Sequence, residues 1–340
     1  MSELTGPTAS LPNLESLELT DTIVQDGLDF VRRLVFPNTA KAHVRLRHDP
    51  DALDCLPSIV LMIALTTSLA NDHPEADRFR DPTPLRSLRI THLGGAGISM
   101  HLGTEFYSFQ DWEGYMPDWR PKYSLSLSLP HHPSELCKIF VLAMCHSLPL
   151  EDLEALSIEG EFFFGKREWL YAFGHIEGLR DIRVSGLPIF GFAEMFKKLE
   201  GPILDLRNLT DVEKLPTQAE IPIGPVMPAL THLAFEMADF VGSPELLHNL
   251  LDGLQLRKDA EMEERTMDSV HIRDCDITED QFHEFAPRLV GSCQWDMEKS
   301  GLRNVWVDEG RYSRRRWHVD DDIDEDEDDG GETDMAIVYG

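Results

Sequence analysis

Few residues of this chain have the types and the spacing that catalysis or metal binding requires. His131 and His132 are adjacent and give a weak metal-binding signal, but no third or fourth ligand follows at a suitable spacing. The glycine-rich segment 94–97 lacks the Lys-Ser/Thr pair of a phosphate-binding loop, so we interpret it as a turn. Neither Gly-x-Ser-x-Gly nor His-Glu-x-x-His occurs. The sequence therefore predicts no catalytic residue, no metal site and no cofactor, and an enzyme of unknown type is only a third hypothesis.

The cysteines give no disulfide or zinc pattern either. Their number is odd, they are scattered, and no Cys-x-x-Cys pair occurs. We expect reduced, buried thiols, as in proteins of the cytosol or the nucleus. The five cysteines are Cys55, Cys137, Cys145, Cys275 and Cys293.

Composition and charge exclude several classes of protein. A chain of 340 residues with 42% hydrophobic and 27% charged residues is typical of globular proteins with a sizeable core. The formal net charge of −30 argues against nucleic acid as the partner, because phosphate binding needs a basic face. The N-terminus lacks an apolar signal sequence, and the most apolar run, 56–70, is shorter than the roughly 20 residues of a membrane span. We therefore predict a cytoplasmic or nuclear protein that binds neither nucleic acid nor membranes.

One short pattern of apolar residues recurs along the chain. Its form is apolar-x-x-apolar-x-apolar, and seven copies occur. The last two apolar residues of a copy lie two apart, so both face one side of a short strand, and the first lies on the turn before that strand. The copies begin at Leu14, Leu85, Leu153, Leu179, Leu230, Met267 and Leu302. Weaker strand-like segments lie at 44–46, 124–129, 203–206 and 221–223.

Helical segments separate these strands. A Ser-Pro start at Ser243 predicts a helix that Gly253 is expected to end, and a capping box from Thr278 to Gln281 predicts another. The alternation predicts an α/β fold, an irregular leucine-rich-repeat solenoid with short parallel strands on the concave side and helices on the convex side. A doubly wound α/β domain is the alternative. Apolar residues at helical spacing predict further helices near 26–36, 134–148, 166–173 and 190–199.

The sixth copy continues beyond its strand in a distinctive way. From Ile272 the chain reads Arg-Asp-Cys275-Asp-Ile277-Thr278 and then starts a helix. This resembles the cysteine-containing leucine-rich repeat of F-box proteins, from which it departs by one residue between Cys275 and Ile277. Over residues 11–310 the chain resembles the degenerate F-box/leucine-rich-repeat proteins of mushroom-forming, basidiomycete-type fungi. The resemblance implies the substrate-recognition part of an F-box-type (SCF) ubiquitin ligase receptor, whose solenoid holds a target protein.

The chain departs from the pattern of this family at its N-terminus. The F-box, a helical module that precedes the repeats, has no counterpart in residues 1–10. We therefore expect contact with a cullin–RING ligase adaptor only if an F-box lies upstream. A truncated chain and a target-binding protein that recruits no ligase are the two alternatives.

The outward-facing strand residues are the candidate partner-binding residues. Repeat proteins usually bind partners on the concave sheet, and arginine and tryptophan are enriched at binding hot spots. The alternative is an ordinary solvated sheet face. The candidates on the concave face are Glu18, Arg89, Arg183, His271, Arg273 and Trp306.

Residues 101–122 interrupt the repeats and are rich in aromatic side chains. One hypothesis is an inserted loop that presents an aromatic anchor to a partner. The alternative is a plug that buries itself against neighbouring helices, because large exposed aromatic patches are uncommon. The candidate anchors are Trp112, Tyr115 and Trp119.

The end of the chain combines opposite charges. Residues 311–318 contain four arginines, and residues 319–340 contain 11 acidic residues and no Lys or Arg. Such an acidic block repels itself and cannot form a core, so we predict a disordered tail after the basic cluster. The tail supports an alternative function, the binding of basic partners such as histones, unless it serves only solubility. The predicted boundaries are a short lead at 1–10, the solenoid at 11–310 and the basic cluster with the tail at 311–340.

Overall fold

Strands and short helices alternate along the structure, which is a computed structural model of the chain. It divides into two units, Met1–Ser300 and Gly301–Gly340. The predicted strands at 203–206 and 221–223 lie outside the described residues. The structure describes residues 9–35, 40–46, 56–67, 84–92, 97–108, 125–129, 134–162, 164–196, 227–259, 267–285, 292–295, 305–307 and 311–313.

The strands and helices of the described residues are short. The strands are β1 (Ala9–Ser10), β2 (Ser16–Thr22), β3 (Leu34–Val35), β4 (Lys41–Leu46), β5 (Ser87–His92), β6 (Ile98–Gly103), β7 (Leu125–Leu129), β8 (Ala155–Gly160), β9 (Asp181–Gly186), β10 (His232–Glu236), β11 (Ser269–Arg273), β12 (Ser292–Trp295), β13 (Val305–Val307) and β14 (Arg311–Ser313). The helices are α1 (Val24–Val31), α2 (Leu56–Thr67), α3 (Ser134–Ser147), α4 (Lys166–Phe173), α5 (Pro188–Met195), α6 (Pro244–Asp259) and α7 (Glu279–Phe285).

Ten strands of the first unit form one open sheet. Their order is β12-β11-β10-β9-β8-β5-β6-β7-β4-β2, so β2 and β12 are its edges. Neighbouring strands are parallel except where β6 pairs with β5 and β7, and these two pairings are antiparallel. The predicted α/β class is therefore confirmed as a mixed α/β fold with a mostly parallel, unclosed sheet.

Strands β5, β6 and β7 depart from the predicted alternation of strand and helix. They are consecutive in the chain and adjacent in the sheet, with β6 between the other two. As a result β7, and not β5, lies beside β4, and the connections through α2 and α3 each join strands that two others separate. The predicted insertion at 101–122 therefore starts too early, because residues 101–103 belong to β6.

The alternating strand residues sort into an apolar face and a polar face. Each of the helices α1 to α6 contacts the next one, and their buried residues share one core with the apolar face. In four copies the opening leucine is fully buried on the turn before its strand, as the template predicts, whereas Leu14 is only partly buried. Fully buried examples are Leu85, Leu88, Leu153, Leu156, Leu179, Ile182, Leu230 and Leu233.

Aromatic side chains fill the core around α4 and α5. The Trp169 ring lies 5.0 Å from that of Phe192 and 5.7 Å from that of Phe164, measured between centroids, in edge-to-face geometry. Its indole Nε1 donates a hydrogen bond of 3.0 Å to the carbonyl oxygen of Pro188. Burial of each such ring contributes about 1.5–3 kcal/mol, so this cluster contributes strongly to holding the two helices on the sheet.

The backbone repeats one hydrogen-bond arrangement at the start of successive strands. The carbonyl oxygen of Arg86 accepts bonds from the N–H groups of Glu154, at 2.9 Å, and Ala155, at 3.0 Å. The same two-to-one arrangement recurs for each following strand up to β11, with Glu154, Arg180 and Thr231 as the acceptors. Neighbouring strands therefore begin with one shared geometry.

A left-handed backbone residue recurs at the strand ends. Gly186 closes β9 with φ 76°, Met237 follows β10 with φ 56°, and Asp274 follows β11 with φ 46°. Gly186 must be glycine for a second reason, because a Cβ there would lie 2.5 Å from the carbonyl oxygen of Gly160.

Some predicted helix ends are confirmed and others are not. The Thr278 hydroxyl accepts a bond of 3.2 Å from the N–H of Gln281, whose side chain accepts one of 2.9 Å from the N–H of Thr278, as a capping box requires. The prediction that Gly253 ends α6 is wrong, since α6 continues to Asp259. A Cβ at Gly253 would collide with Phe196, so this glycine permits close packing of the helix.

The apolar run at 56–70 forms the helix α2. Its residues Ile59, Met62 and Ile63 are buried in the common core. No helix in the described part of the chain is long and apolar enough to cross a membrane.

The second unit contains a separate two-stranded sheet. Strand β13 pairs with β14 in antiparallel fashion, with Trp306 opposite Tyr312. The seventh repeat copy is therefore a strand, but it is not one of the ten strands of the large sheet. The basic cluster begins inside β14, at Arg311.

Candidate functional site

The outward strand residues of the large sheet form its polar face. The register is continuous, so one residue from each of the ten strands falls in a single row, which we call the central row. In sheet order the central row is Glu18, His43, Ser126, His101, Arg89, Ser157, Arg183, Ala234, His271 and Gln294.

A second row on the polar face lies at the carboxyl ends of the parallel strands. We call it the terminal row, and it spans eight strands, from β4 to β11. In sheet order the terminal row is Arg45, Ser128, Ser99, Thr91, Glu159, Ser185, Glu236 and Arg273.

Five of the six residues predicted for the concave face lie in these two rows. Glu18, Arg89, Arg183 and His271 belong to the central row, and Arg273 belongs to the terminal row. The sixth, Trp306, lies in β13, which pairs with β14 in the two-stranded sheet of the second unit and is not among the ten strands of the large sheet.

The expectation that these side chains face solvent is wrong for two of them. Arg183 and His271 are buried, while Arg89 and Arg273 are partly buried and Glu18 is exposed. A buried guanidinium needs partners in the protein, since its desolvation is otherwise costly. The partners of Arg183 lie in the same two rows.

A network of four charged side chains occupies the middle of the polar face. Arg183 donates from Nε to Glu236 Oε1 at 2.8 Å and from Nη2 to Glu236 Oε2. Its Nη1 donates to Ser157 Oγ at 3.2 Å and lies 3.6 Å from Glu159 Oε2. Arg89 reaches the same Glu159 oxygen from Nη2 at 3.3 Å. Two arginines and two glutamates therefore compensate each other without a ligand.

Asp181, His232 and Ser269 lie in register on three adjacent strands. Asp181 is buried, and its Oδ1 is 2.9 Å from Nδ1 of His232. Within the described part of the chain, Ser269 makes no side-chain hydrogen bond, so the contact by which a histidine activates a serine nucleophile is missing. The three residue types of a catalytic triad are present, but they are not assembled as one.

The first part of the aromatic insertion lies on the polar face. The Ser87 hydroxyl donates to the carbonyl oxygen of Glu105 at 2.7 Å and accepts a bond of 2.9 Å from the N–H of Tyr107. The Tyr107 ring is buried against Gly103, as the plug hypothesis expects of the segment, whereas Phe106 is 37% exposed. The candidate anchors Trp112, Tyr115 and Trp119 lie outside the described residues.

The sequence analysis missed Glu159, Ser185 and Glu236. Each directly follows the last apolar residue of its repeat copy, at Ile158, Val184 and Phe235. Extending the predicted strands by one residue places them on the outward face, because side chains alternate along a strand. The signal was therefore present in the alternation, but its importance depends on the pairing of distant strands.

The described part of the chain offers few reactive thiols or metal ligands. Four cysteines there are free thiols, of which three are buried, and burial raises the pKa of Cys137 to about 11. The described residues contain no group of three His, Cys, Asp or Glu side chains that could hold a metal ion. Cys55 and the His131–His132 pair lie outside the described residues.

Comparisons with protein-family models, with curated proteins and with solved structures find no match to this chain.

Proposed function

We propose that this chain binds a protein partner on the polar face of its sheet and that it does so as an interrupted leucine-rich-repeat solenoid. The observation that carries the proposal is the central row, in which ten strands each contribute one residue in continuous register. Such a row aligns regularly spaced side chains across the sheet, and its exposed members Glu18 and Gln294 lie at its two ends. This extent suits an extended protein contact better than a small-molecule pocket.

Three features support the solenoid. The same backbone arrangement recurs at the start of successive strands, left-handed residues recur at their ends, and the helices follow one another along one layer. The Cys275 thiol adds a fourth, because it donates to the carbonyl oxygen of Arg273 at 3.0 Å and accepts a bond of 3.4 Å from the N–H of Ala238 in the preceding repeat. The reversed strand β6, which lies between β5 and β7, interrupts the solenoid.

Site-specific photo-crosslinking tests the proposed surface. A crosslinking amino acid replaces Glu18 or Gln294, which are exposed positions of the central row, and the protein is incubated with an extract of cells that express it. The matched controls are Arg167 on α4 and Glu194 on α5, which are exposed on helices. We expect one protein to be captured from both central-row positions and from neither control. Equal capture from the helix positions would contradict the proposal.

The resemblance to F-box proteins leads to a narrower version of this proposal. The captured protein would then be a substrate that is presented to a cullin–RING ubiquitin ligase, with an upstream F-box as the adaptor contact. Its half-life should lengthen when the gene for this chain is deleted. An unchanged half-life would remove the ligase from the proposal and leave the binding surface.

The charge of the chain favours a second candidate function, the binding of basic proteins. The net charge of −30 attracts histones and similar partners at long range. Affinity for such a partner should fall steeply as salt rises above about 0.15 M and when residues 319–340 are deleted. A partner recognised by shape on the polar face should show neither effect strongly.

A further inference from the structure

The large sheet ends at β2, whose outer side has no neighbouring strand among the described residues. There β2 pairs with β4 alone, so one of its two sides is open. Glu18 of β2 is exposed, whereas Ser157, which lies in the same central row in the middle of the sheet, is fully buried. An open edge strand presents unpaired backbone groups to which another extended chain can bind.

The register shows which backbone groups of β2 point to the open side. The carbonyl oxygen of Glu15 accepts a bond of 2.9 Å from the N–H of Lys41, and Ser16 lies opposite Lys41. In a parallel pair the backbone groups of alternate residues point to the same neighbour, so those of Glu15 and Leu17 face β4. The N–H groups and the carbonyl oxygens of Ser16 and Glu18 therefore face the open side.

The apolar face of β2 is less completely buried than that of the inner strands. Leu17 is 8% exposed and Leu19 is only partly buried. Leu88 and Leu156, which match Leu17 in two inner repeat copies, are 0% exposed, and their strands have a neighbour on each side. Apolar side chains on an added strand would cover Leu17 and Leu19, and burial of that surface would favour binding.

The polar face of β2 is acidic next to the open side. Glu18 lies opposite His43 of β4 and forms no ion pair in the part of the chain that the structure describes. Residues 15–21 contain three acidic residues and no Lys or Arg, and the net charge of the whole chain is −30. A basic side chain on an added strand would lie beside Glu18, and long-range attraction would speed the encounter.

The same charges argue against a second copy of this chain on β2. Pairing of two β2 strands would bring Glu18 of one copy close to the acidic residues of the other. Like charges across a strand pair are destabilising. A basic segment has no such cost.

We infer that β2 binds an extended segment of another protein, in which basic and apolar residues alternate, as an eleventh strand of the sheet. The apolar side chains of this segment cover Leu17 and Leu19, and the basic ones lie beside Glu18. The two kinds must alternate because successive side chains of a strand point to opposite faces. The edge is a surface additional to the polar face and does not depend on binding there.

Fluorescence anisotropy on the full chain, at about 0.15 M salt, tests the inference. The probe is a labelled, end-capped heptapeptide of sequence Thr-Lys-Val-Lys-Val-Lys-Thr. We expect it to bind with a Kd below roughly 1 mM. The same peptide with Glu in place of each Lys should bind about tenfold more weakly or not at all, because its charges are repelled by Glu18.

Two variants of the protein test the role of charge. Glu18→Gln should weaken binding of the lysine peptide about threefold, since an exposed ion pair contributes modestly to affinity. The matched control is Glu194→Gln, which removes the same charge from an exposed position on α5. It should bind the peptide as the wild type does.

Methylation of the peptide nitrogens tests the backbone contact without changing the protein. The lysine amides would face β2 in an antiparallel pair, and the valine amides would face it in a parallel pair. Methylation of one set should therefore abolish binding and methylation of the other should not, which also gives the direction of the added strand. The amide protons of Ser16 and Glu18 should exchange more slowly when the unmethylated peptide is bound.

Four results would overturn the inference: no binding of the lysine peptide, equal binding of the lysine and glutamate peptides, equal binding of the two methylated peptides, or equal affinity of the two variants. The first is the result expected if Glu18 only protects the edge from association. Crosslinking separates these failures from failure of the proposed function. Capture of one protein from Glu18 and Gln294, without binding of the peptide, would leave the polar face as a binding surface and remove the edge.

Discussion

Arg183 and Glu236 hold each other across the β9–β10 pair through two parallel hydrogen bonds. Their side chains are only 8% and 13% exposed. Burial by itself disfavours the charged guanidinium, but the hydrogen bond to Glu236 and the charges of Glu236 and Glu159 outweigh it and raise the pKa of Arg183. Arg183 therefore stays charged in the middle of the proposed binding surface, and its neighbours compensate that charge.

Glu236→Gln should lower the free energy of unfolding by about 2–3 kcal/mol, because it leaves Arg183 buried with less than its full compensation. Urea denaturation at neutral pH measures this change. The double variant Arg183→Leu, Glu236→Leu should recover most of the loss, since it removes both charges together. If the single and the double variant lost equal free energy of unfolding, the Arg183–Glu236 pair would not be the source of the lost stability.

Gly186→Ala should destabilise the protein by about 3 kcal/mol or more. Alanine at φ 76° is strained, and its Cβ would lie 2.5 Å from the carbonyl oxygen of Gly160, so the β8–β9 pairing must shift. The control is Gly178→Ala, whose Cβ would meet only the carbonyl oxygen of Leu153 at 3.6 Å. Thermal melts of the two variants should differ by several degrees, and similar melting temperatures would contradict this account of the strand ends.

The local pattern around Leu153 shows how much of the fold could be predicted. Leu153, Leu156 and Ile158 identified the turn and the strand that became β8, and the same template located five of the other strands of the sheet. These predictions succeed because strand periodicity and the buried turn leucine are properties of a few neighbouring residues. The partner of each strand depends on the whole chain and was not predictable in the same way.

Strand β6 and the charged network were missed for two different reasons. Ile98, Met100 and Leu102 alternate after the glycine-rich sequence 94–97, which is a hairpin signal that the sequence analysis did not use. The Arg183–Glu236 contact joins residues 53 positions apart. Sequence places each of them on an outward strand position, but only the observed register brings them together.

Cys275→Ala should lower the free energy of unfolding by about 1–2 kcal/mol. The substitution removes the acceptor of the Ala238 N–H at 3.4 Å, and a buried N–H without a partner is costly. Cys275→Ser keeps a donor and an acceptor at this position and should recover part of the loss. Urea denaturation of the two variants tests whether the serine variant is more stable than the alanine variant. A serine variant no more stable than the alanine variant would show that volume, and not hydrogen bonding, is what Cys275 supplies.

His101 should make the protein sensitive to acid. Its pKa is about 3 in the folded chain and near 6.5 when unfolded, mainly because burial disfavours the imidazolium ion. A group whose folded pKa is depressed contributes stability above the unfolded pKa and loses it as pH falls. This contribution is therefore complete above about pH 6.5, and its loss should reach about 3 kcal/mol by pH 4.

His101→Gln isolates this contribution, because glutamine does not titrate and the carboxylates that also respond to acid remain in both proteins. Between pH 7 and pH 4, the wild type should lose about 3 kcal/mol more stability than the variant in urea denaturation. The imidazole signal of folded His101 should also stay at its neutral position down to about pH 5. Parallel pH profiles for the two proteins, or an imidazole that titrates near pH 6, would show that water and protons reach His101. Burial would then not keep it neutral beside Arg89.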